Sequence, residues 1–297
     1  MKQRNKQKRI LLLTAMLMFA FAFFRFNTID AQAASKYTIY VNRKTNLVNV
    51  TDSRTGKLVK AMYCSTGKNY RTISGTYNTT AKYKWRALIH GVYGQYSTRI
   101  HGPYLFHSVP YYSVNKSKVS TKEYNKLGVQ ASAGCIRLAV TDAKWIYDNC
   151  RIGTKVVIGE SRTLKKPARP KVKVSTKRKA WWDPTDPDTR NPYRPKLTLK
   201  KKGKRTIAYG STFDIKDVLK VSSPYASASA LLETLSVKGS VNTKKDGTYK
   251  VSCTITDPYT AVSVTKTFTF KVGKKPKQTT TEKKAPTELT TEEKTAE

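Results

Sequence analysis

Apolar and polar residues alternate along the first part of the chain in a way that predicts β-strands. Tyr37, Ile39 and Val41 alternate with polar residues, and a second apolar run follows a short polar segment. This pattern is typical of a β-hairpin, because successive side chains of a strand point to opposite faces of the sheet. Further strands are expected over 58–64 and 154–158.

Helical spacing is found at one clear place in the same region. Apolar residues recur over 143–150 at the spacing of one helical face, and a glycine follows three residues later. We expect Thr141 or Asp142 to cap the first turn of this helix. A second, shorter helix is expected over 121–127, where a glycine again follows. The pattern therefore predicts a mainly β domain with one or two helices.

A second alternating region lies near the end of the chain. An Asp-Gly turn signal at 246–247 is followed by alternation over 249–255 and again over 262–272. Strands at this spacing predict a small β-sandwich over 196–273. The segment 246–257 resembles the penultimate strand of bacterial immunoglobulin-like surface modules, which implies an Ig-like module but indicates no ligand for it.

The stretch between the two β regions has a different composition. Residues 161–195 contain repeated prolines among dense lysines and arginines, which predicts an extended basic linker, because proline removes backbone donors and like charges repel. We expect Trp181-Trp182 to pack on a neighbouring domain, with a sugar-stacking platform as the alternative. Residues 274–297 contain almost nothing apolar and predict a disordered tail.

The first 33 residues have the three parts of a secretory signal peptide. A basic start precedes an apolar run over 10–24, and Ala31-Gln-Ala33 then offers a small-residue cleavage site. The alternative is a retained membrane anchor. The fifteen residues 10–24 make a helix of about 22 Å, which is shorter than the hydrocarbon core of about 30 Å. We therefore expect cleavage after Ala33, a secreted protein, and no stable membrane insertion afterwards.

One short segment offers nucleophilic chemistry. Cys135 lies in Ser132-Ala-Gly-Cys-Ile-Arg-Leu138, and His107 is the nearest histidine upstream. A cysteine nucleophile needs a base to form the thiolate, and that base needs a third group to hold its tautomer. The alternative is a buried, inert thiol, which is the ordinary state of a cysteine.

These segments resemble the L,D-transpeptidase catalytic domain, also called the YkuD domain. The resemblance covers 35–160, within a domain that we place at 34–160. It is carried by Phe106-His-Ser108 and 132–138, and further by 64–67, 75–77, 142–148 and 153–156. The family implies a mainly β catalytic fold that acts on peptidoglycan stem peptides.

The resemblance also implies a role for each matching residue. Cys135 matches the nucleophile, His107 the base, and Ser108 the residue whose backbone carbonyl orients that base. The enzyme would form a thioester at Cys135 with release of D-Ala, and the side-chain amine of a second stem would then complete a 3→3 cross-link. Attack by water instead would make the protein an L,D-carboxypeptidase.

Three further residues match the motif around the nucleophile. Ser132, Gly134 and Arg137 are expected to contribute to substrate binding, although Arg137 could instead hold the loop through backbone hydrogen bonds. Ala133 departs from the pattern, since many relatives have histidine there, and this removes one possible donor to the oxyanion. A third reading is therefore a catalytically weak wall-binding protein.

Neither a metal nor a cofactor is implied. The reaction exchanges one amide bond for another, so no nucleotide is needed. His90, His101 and His107 could be taken as a zinc set, but their spacing fits no common ligand template.

The cysteines other than the nucleophile are odd in number. Cys64 and Cys150 fall in the same domain and are the best candidates for a disulfide, whereas Cys253 lies on the apolar phase of its strand and is expected to be a buried free thiol.

The charge of the chain is consistent with an anionic partner. The chain has 57 Lys+Arg and 19 Asp+Glu, so its formal net charge is +38. Nucleic acid would be the ordinary inference, but a secreted protein does not meet chromosomal DNA or ribosomes. Residues 160–205 hold 17 Lys/Arg against 4 Asp/Glu. We therefore expect the basic linker to bind the anionic polymers of a bacterial wall and keep a secreted enzyme wall-associated.

Overall fold

The computed structural model describes residues 35–200 and 205–276. The predicted signal peptide, 1–33, lies outside these residues, and so does all but the start of the predicted tail, 274–297. Within the described part of the chain, no helix is long and apolar enough to cross a membrane.

Nine strands of the first region pair into one mixed sheet. The strands of this region are β1 (Tyr37–Asn42), β2 (Leu47–Asp52), β3 (Leu58–Ser65), β4 (Gly75–Asn78), β5 (Ala81–Ala87), β6 (Tyr93–His101), β7 (Tyr104–Ser108), the separate β8 (Val119–Ser120), β9 (Ile136–Leu138) and β10 (Lys155–Gly159). Their order across the sheet is β4-β10-β1-β2-β3-β9-β7-β6-β5. The predicted hairpin, the further strands and the mainly β class are confirmed.

Two helices accompany this sheet. They are α1 (Thr121–Tyr124) and α2 (Val140–Asn149). The longer helix, α2, packs against β6 and β7, and the side chains of Ala143 and Ile146 on its apolar face are fully buried in the core of the domain. The helix follows β9 directly, so it supports the strands at the centre of the sheet from behind.

The N-terminus of α2 is capped by residues far away in the sequence, which corrects the expectation that Thr141 or Asp142 caps it. The N–H of Val140 donates to Asp183 Oδ2 at 3.0 Å, and the N–H of Thr141 donates to Thr185 Oγ1 at 3.1 Å. Asp142 lies inside the first turn and is fully buried. These two N–H groups, which have no partner within the helix, therefore donate to side chains from a distant part of the same chain.

Residues 161–195, which we call the basic segment, are folded onto the first domain, and this differs from the predicted extended linker. The Asn49 side chain exchanges hydrogen bonds with the backbone of Lys165 at 2.8 and 2.9 Å. The Asn125 side chain does the same with Val174 at 2.8 and 2.9 Å. A short strand of the segment, β11 (Ala180–Trp181), pairs with β8.

Ion pairs with buried carboxylates offset the repulsion that we expected among the lysines and arginines of the basic segment. Arg169 of the basic segment binds the buried carboxylate of Asp142, and Lys116 reaches Asp186 at 3.0 Å. Trp182 is buried, whereas Trp181 is half-buried with the Arg178 guanidinium 4.0 Å from its ring. Trp181 pairs with Val119 of the first domain, in agreement with the expectation that this part of the chain packs on a neighbouring domain.

The second β region forms two small sheets around one core. Its elements are β12 (Lys196–Leu199), β13 (Thr206–Ile207), α3 (Ile215–Val218), β14 (Leu219–Ser222), α4 (Ala228–Glu233), β15 (Ser236–Lys238), β16 (Gly247–Thr256) and β17 (Ser263–Val272). One sheet pairs β12 with β14, and the other has the order β13-β17-β16-β15. Leu197 and Leu219 from the first sheet join Val251 and Phe270 from the second in this core. The strands predicted over 249–255 and 262–272 are confirmed, while the Ig-like assignment stays a prediction.

Candidate active site

An open cleft of about 570 Å³ lies beside the central strands β7 and β9. These strands run parallel with His107 opposite Arg137. Since residues two apart on a strand face the same side, Cys135, immediately before β9, shares that face with both residues. All three line the cleft. The sheet thus brings together a cysteine and a histidine that are far apart in the sequence.

The histidine is held in one tautomer. His107 is only 2% exposed, and its Nδ1 lies 2.5 Å from the carbonyl oxygen of Ser108. A carbonyl oxygen can only accept, so Nδ1 carries the proton and donates it to this bond. Nε2 is then left with its lone pair, which is the form a general base requires.

The Ser108 side chain and Gly94 fix the position of this histidine. Ser108 Oγ accepts the Gln95 N–H at 2.8 Å and donates to the carbonyl of Val109 at 3.0 Å. Gly94 lies directly against His107, because a Cβ at this glycine would be 2.9 Å from the His107 Cβ and 3.0 Å from its Nδ1. The backbone of β6 therefore forms one wall of the imidazole site.

Burial keeps the imidazole neutral. It lowers the pKa of His107 to about 4, and the positive charge of Arg137 acts in the same direction, while the bond to Ser108 opposes both. At neutral pH, His107 is therefore an uncharged base.

The thiol of Cys135 is partly exposed to the cleft. Its Sγ lies 3.6 Å from the carbonyl oxygen of Pro103, to which it donates a weak hydrogen bond. Burial raises the pKa of Cys135, and this is only partly offset by the Leu105 backbone and by the charges of Arg137 and Arg99. At rest the thiol and the imidazole that line the cleft are therefore both neutral, and a thiolate forms only when a proton moves.

Ser132 and Gly134 hold the loop that carries the thiol. Ser132 Oγ donates to the carbonyl of Cys135 at 2.6 Å and accepts the N–H of Gly134 at 3.0 Å. Thr72 Oγ1 donates to the Gly134 carbonyl at 2.7 Å. Gly134 has a φ of +150°, and a Cβ there would meet the Tyr104 ring at 3.0 Å, so the turn requires glycine. The expectation that Ser132 and Gly134 contribute to substrate binding stays a prediction.

Arg137 is engaged by protein groups. Its Nη1 donates to Glu123 Oε2 at 2.5 Å and to the carbonyl of Ala131 at 3.2 Å. Glu123 also pairs with Lys126 at 2.5 Å. Of the two roles left open for Arg137, these contacts support the one in which it holds the loop.

Three residues of the site were missed by sequence reasoning. Gly94 and Thr72 carry no local signal, because their importance comes from what another strand or loop places beside them. Glu123 did have a signal, since Ser120 and Glu123 have the spacing of a capping box, and Ser120 Oγ accepts the Glu123 N–H at 3.3 Å. That motif predicts where the helix begins but does not predict that Glu123 reaches Arg137.

The other histidines lie apart from this pair. His101 stacks on Tyr77 with ring centroids 5.2 Å apart, and His90 is exposed on the rim of the cleft. Among residues 35–200 and 205–276, no three His, Cys, Asp or Glu side chains are grouped closely enough to hold a metal ion.

Cys64 and Cys150, the best candidates for a disulfide, are not paired. Both are buried free thiols in the core of the first domain. Burial raises the pKa of both, to about 12 for Cys150, so these thiols are unreactive. The prediction for Cys253, a buried free thiol, is confirmed.

Comparison with known proteins finds a family model that covers most of the first domain. Residues 36–158 match the family model YkuD, described as the L,D-transpeptidase catalytic domain. A Bacillus subtilis (strain 168) protein, YciB, named as a candidate L,D-transpeptidase, is 53% identical over 62 residues, which is 21% of this chain and 31% of that protein.

Solved structures of related proteins cover a similar part of the chain. An L,D-transpeptidase from Mycobacterium smegmatis is 21% identical, with a TM-score of 0.35 over 42% of this chain and 58% of its own. A fused Zn-dependent amidase/peptidase/peptidoglycan-binding domain-containing protein from Clostridium acetobutylicum ATCC 824 is 32% identical, with a TM-score of 0.33 over 41% and 51%. The chain thus spans about a third of the curated relative and about half of these structures. At the level of the family, residues 36–158 match an L,D-transpeptidase catalytic domain.

Proposed function

We propose that the first domain is a cysteine L,D-transpeptidase that forms 3→3 cross-links between peptidoglycan stem peptides. One observation carries this proposal, namely that Cys135 and His107 lie on the same face of the sheet and line one cleft, with His107 Nδ1 bound to Ser108. The family match over 36–158 supports the same class of reaction.

Acylation would begin with a proton transfer. His107 Nε2 takes the proton of the Cys135 thiol, and the thiolate attacks the carbonyl carbon at the L-centre of the third residue of a tetrapeptide stem. The C–N bond to D-Ala then breaks, His107 returns the proton to the departing amine, and a thioester remains. The neutral resting pair favours this order, because base and nucleophile exchange one proton without either being charged beforehand.

Deacylation would run through the same groups. The side-chain amine of a second stem attacks the thioester carbonyl, His107 accepts its proton, and Cys135 leaves as the thiolate and is protonated again. Water in place of the amine would give an L,D-carboxypeptidase. Because the cleft is open, the acceptor's own binding must decide between the two.

The oxyanion would be bound by backbone groups. Ala133 is exposed on the cleft wall and has no polar side chain to offer. The Gly134 N–H is already donated to Ser132 Oγ, so the N–H of Cys135 is the better donor in this loop. If nothing replaces the missing side chain, the rate would be lower by about 10²–10³.

We further propose that the protein is secreted and held at the cell wall by charge. In the basic segment, the side chains of Lys171 and Lys173 are exposed while Val174 is buried, so the cations lie on the outer surface. This arrangement supports diffuse attraction to anionic wall polymers. Salt should release the protein from purified walls, and binding that is unchanged at high salt would contradict the proposal.

Mass spectrometry of the intact protein tests the nucleophile. A carbapenem should add its mass once to the wild-type protein and not to Cys135→Ala. Cys150→Ala is the matched control, because this thiol is buried, and it should be labelled like the wild type. Absence of any adduct on the wild type would favour the catalytically weak wall-binding protein.

Muropeptide analysis after expression in a permissive host tests the reaction. New 3→3 dimers that disappear with Cys135→Ala would support the transpeptidase. Tripeptides without dimers would identify the carboxypeptidase, and an unchanged profile would contradict both enzymes.

A further inference from the structure

Two arginines line the cleft without a carboxylate partner. Arg86 lies on β5 and Arg99 on β6, and both side chains contribute to the cleft wall. Four other arginines of the described residues form ion pairs with carboxylates, whereas these two form none. An arginine that faces a cleft without a counter-ion is free to bind an anion from solution.

Strand register places Arg99 close to the nucleophile. Arg99 is opposite Leu105 on β7, and Phe106, the next residue, is opposite Ile136 on β9. Arg99, Leu105 and Cys135 therefore lie in one row across three neighbouring strands, and directly opposite residues face the same side. Two strand spacings separate the backbones at the ends of this row by about 10 Å, and the charge of Arg99 still acts on the Cys135 thiol, whose pKa it lowers.

Both guanidinium groups are held in place by one ring. Those of Arg86 and Arg99 lie 4.9 and 5.6 Å from the centroid of the Tyr83 ring. Arg99 also donates to Tyr83 Oη at 3.4 Å and to the carbonyl of Gly102. Stacking and these hydrogen bonds restrict the side chains before a ligand arrives, which lowers the entropy lost on binding.

The charge of the cleft selects for an anion. No Asp or Glu is found among the described residues that line it, and the third cleft arginine, Arg137, is already paired with Glu123. The positive charge of Arg86 and Arg99 is therefore uncompensated in a concave site, where its field is focused.

We infer that Arg86 and Arg99 form a carboxylate-binding subsite for the donor stem peptide, a proposal that rests on the proposed function. The carboxylate of the leaving residue is one residue away from the carbonyl that Cys135 attacks, or about 4 Å. The Arg99 backbone lies about 10 Å across the sheet from that of Cys135, and both side chains line the same cleft, so the guanidinium can meet a carboxylate bound there.

A donor stem can offer this carboxylate from two positions. One is the C-terminal carboxylate of D-Ala, and the other is a side-chain carboxylate, present when the third residue is a diamino diacid. Three synthetic tetrapeptides separate them: one with both carboxylates, one with the D-Ala carboxylate amidated, and one with lysine as the third residue.

The kcat/KM of the wild-type full chain should be compared with those of Arg86→Gln, Arg99→Gln and the double variant. Arg54→Gln is the matched control, because Arg54 is an exposed arginine in the turn between β2 and β3. The wild type should prefer the peptide with both carboxylates. The double variant should lose about tenfold to a hundredfold in kcat/KM on it, mainly through KM, which is the range expected when one charged hydrogen-bonding site is removed.

The amidated and lysine peptides identify the carboxylate that is bound. If the leaving carboxylate is the ligand, amidation should weaken the wild type as much as the double substitution does, and the two changes together should add nothing more. If the side-chain carboxylate is the ligand, replacing the third residue by lysine should weaken the wild type as much as the double substitution does, and the two changes together should again add nothing more. Equal losses on all three peptides, or an equal loss with Arg54→Gln, would overturn the inference.

Binding separates this inference from the proposed function. Calorimetry on Cys135→Ala, alone and with the two arginine substitutions, measures affinity without chemistry. If the wild type turns over no stem peptide, the proposed function is wrong, yet a preference of Cys135→Ala for the carboxylates that the arginine substitutions abolish would still support the subsite. Equal affinity of Cys135→Ala for all three peptides would overturn it.

Discussion

The first domain buries titratable side chains at two places and treats them differently. At the cleft, His107 is bound only through Ser108, and burial favours the neutral forms of both His107 and Cys135. At the N-terminus of α2, Asp142 of the helix and Asp183 of the basic segment are both buried, Asp142 paired with Arg169 and Asp183 accepting from the N–H groups of Val140 and Thr185. Burial raises the pKa of Asp183 to about 6, and bonds from Thr185 and Val140 oppose that rise.

This difference between the cleft and the N-terminus of α2 indicates that the first place serves catalysis and the second serves the stability of the fold. A proton can be exchanged in the cleft because no strong ion pair fixes its position there. At the helix N-terminus, Arg169 holds the carboxylate of Asp142 and backbone N–H groups hold that of Asp183, although burial raises the pKa of both, and these specific partners favour a single structure. We therefore expect substitutions in the cleft to change activity and substitutions at the helix N-terminus to change the free energy of unfolding. The predictions below test this separation from the largest expected effect to the smallest.

His107→Gln should have the largest effect on activity. Glutamine keeps a polar side chain of similar length but cannot act as the base, so kcat/KM on a tetrapeptide stem should fall by about 10³. His101→Gln is the matched control, because this histidine stacks on Tyr77, and it should remain near wild type. A fall of less than tenfold for His107→Gln would show that another group takes the thiol proton.

The same substitution tests whether the imidazole is buried in its neutral form. The pKa of His107 is about 4 in the folded protein against 6.5 in the unfolded chain. Between these values the unfolded chain binds a proton that the folded protein does not. Wild-type stability should therefore fall by about 3 kcal/mol as the pH drops from 6.5 to 4, and His107→Gln should lack this component. Parallel pH dependences for the two proteins would contradict the low pKa.

Gly94→Ala should act on His107 through its position alone. The added methyl would lie 2.9 Å from His107 Cβ, so the ring must move, and a displacement of about 1 Å costs about 10² in rate. Gly159→Ala is the control, since a Cβ there meets nothing within 4 Å. The loss should be in kcat rather than KM. Activity within twofold of wild type would show that the β6 backbone does not position the base.

These residues also show what the sequence could predict. Cys135 and His107 were identified because the residues around them form ordered motifs, and the first hairpin because its alternation is local. Gly94 could not be identified, since its role depends on the register of β6 against β7. The cap of α2 could not be identified either, because Asp183 lies 43 residues after Val140 in a segment whose composition indicates a free linker. Both features depend on contacts between residues that are far apart in the sequence, and no local pattern indicates such contacts.

Asp183→Ala should change the free energy of unfolding and leave the cleft intact. The loss of a buried charged acceptor at a helix N-terminus should lower that free energy by about 2 kcal/mol. Tryptophan fluorescence in urea reports this directly, because the four Trp residues all lie before residue 183. Asp214→Ala removes the cap of α3 in the second region and should leave the fluorescence transition unchanged. A tenfold loss of kcat/KM in folded Asp183→Ala would break the separation between the two places.

The smallest expected effect, about tenfold for each pH unit, is the pH dependence of the thiol itself. Because burial raises the pKa of Cys135 and His107 is uncharged above about pH 4, no imidazolium stabilises a thiolate at neutral pH. Alkylation by iodoacetamide should therefore rise about tenfold for each pH unit between 6 and 8, as the thiolate fraction does. Peptide mass spectrometry locates the label, with Cys135→Ala as the blank. A rate that stays level from pH 6 to 8 would mean that the cleft holds a preformed thiolate–imidazolium pair, and the contrast with the carboxylates at the N-terminus of α2 would then disappear.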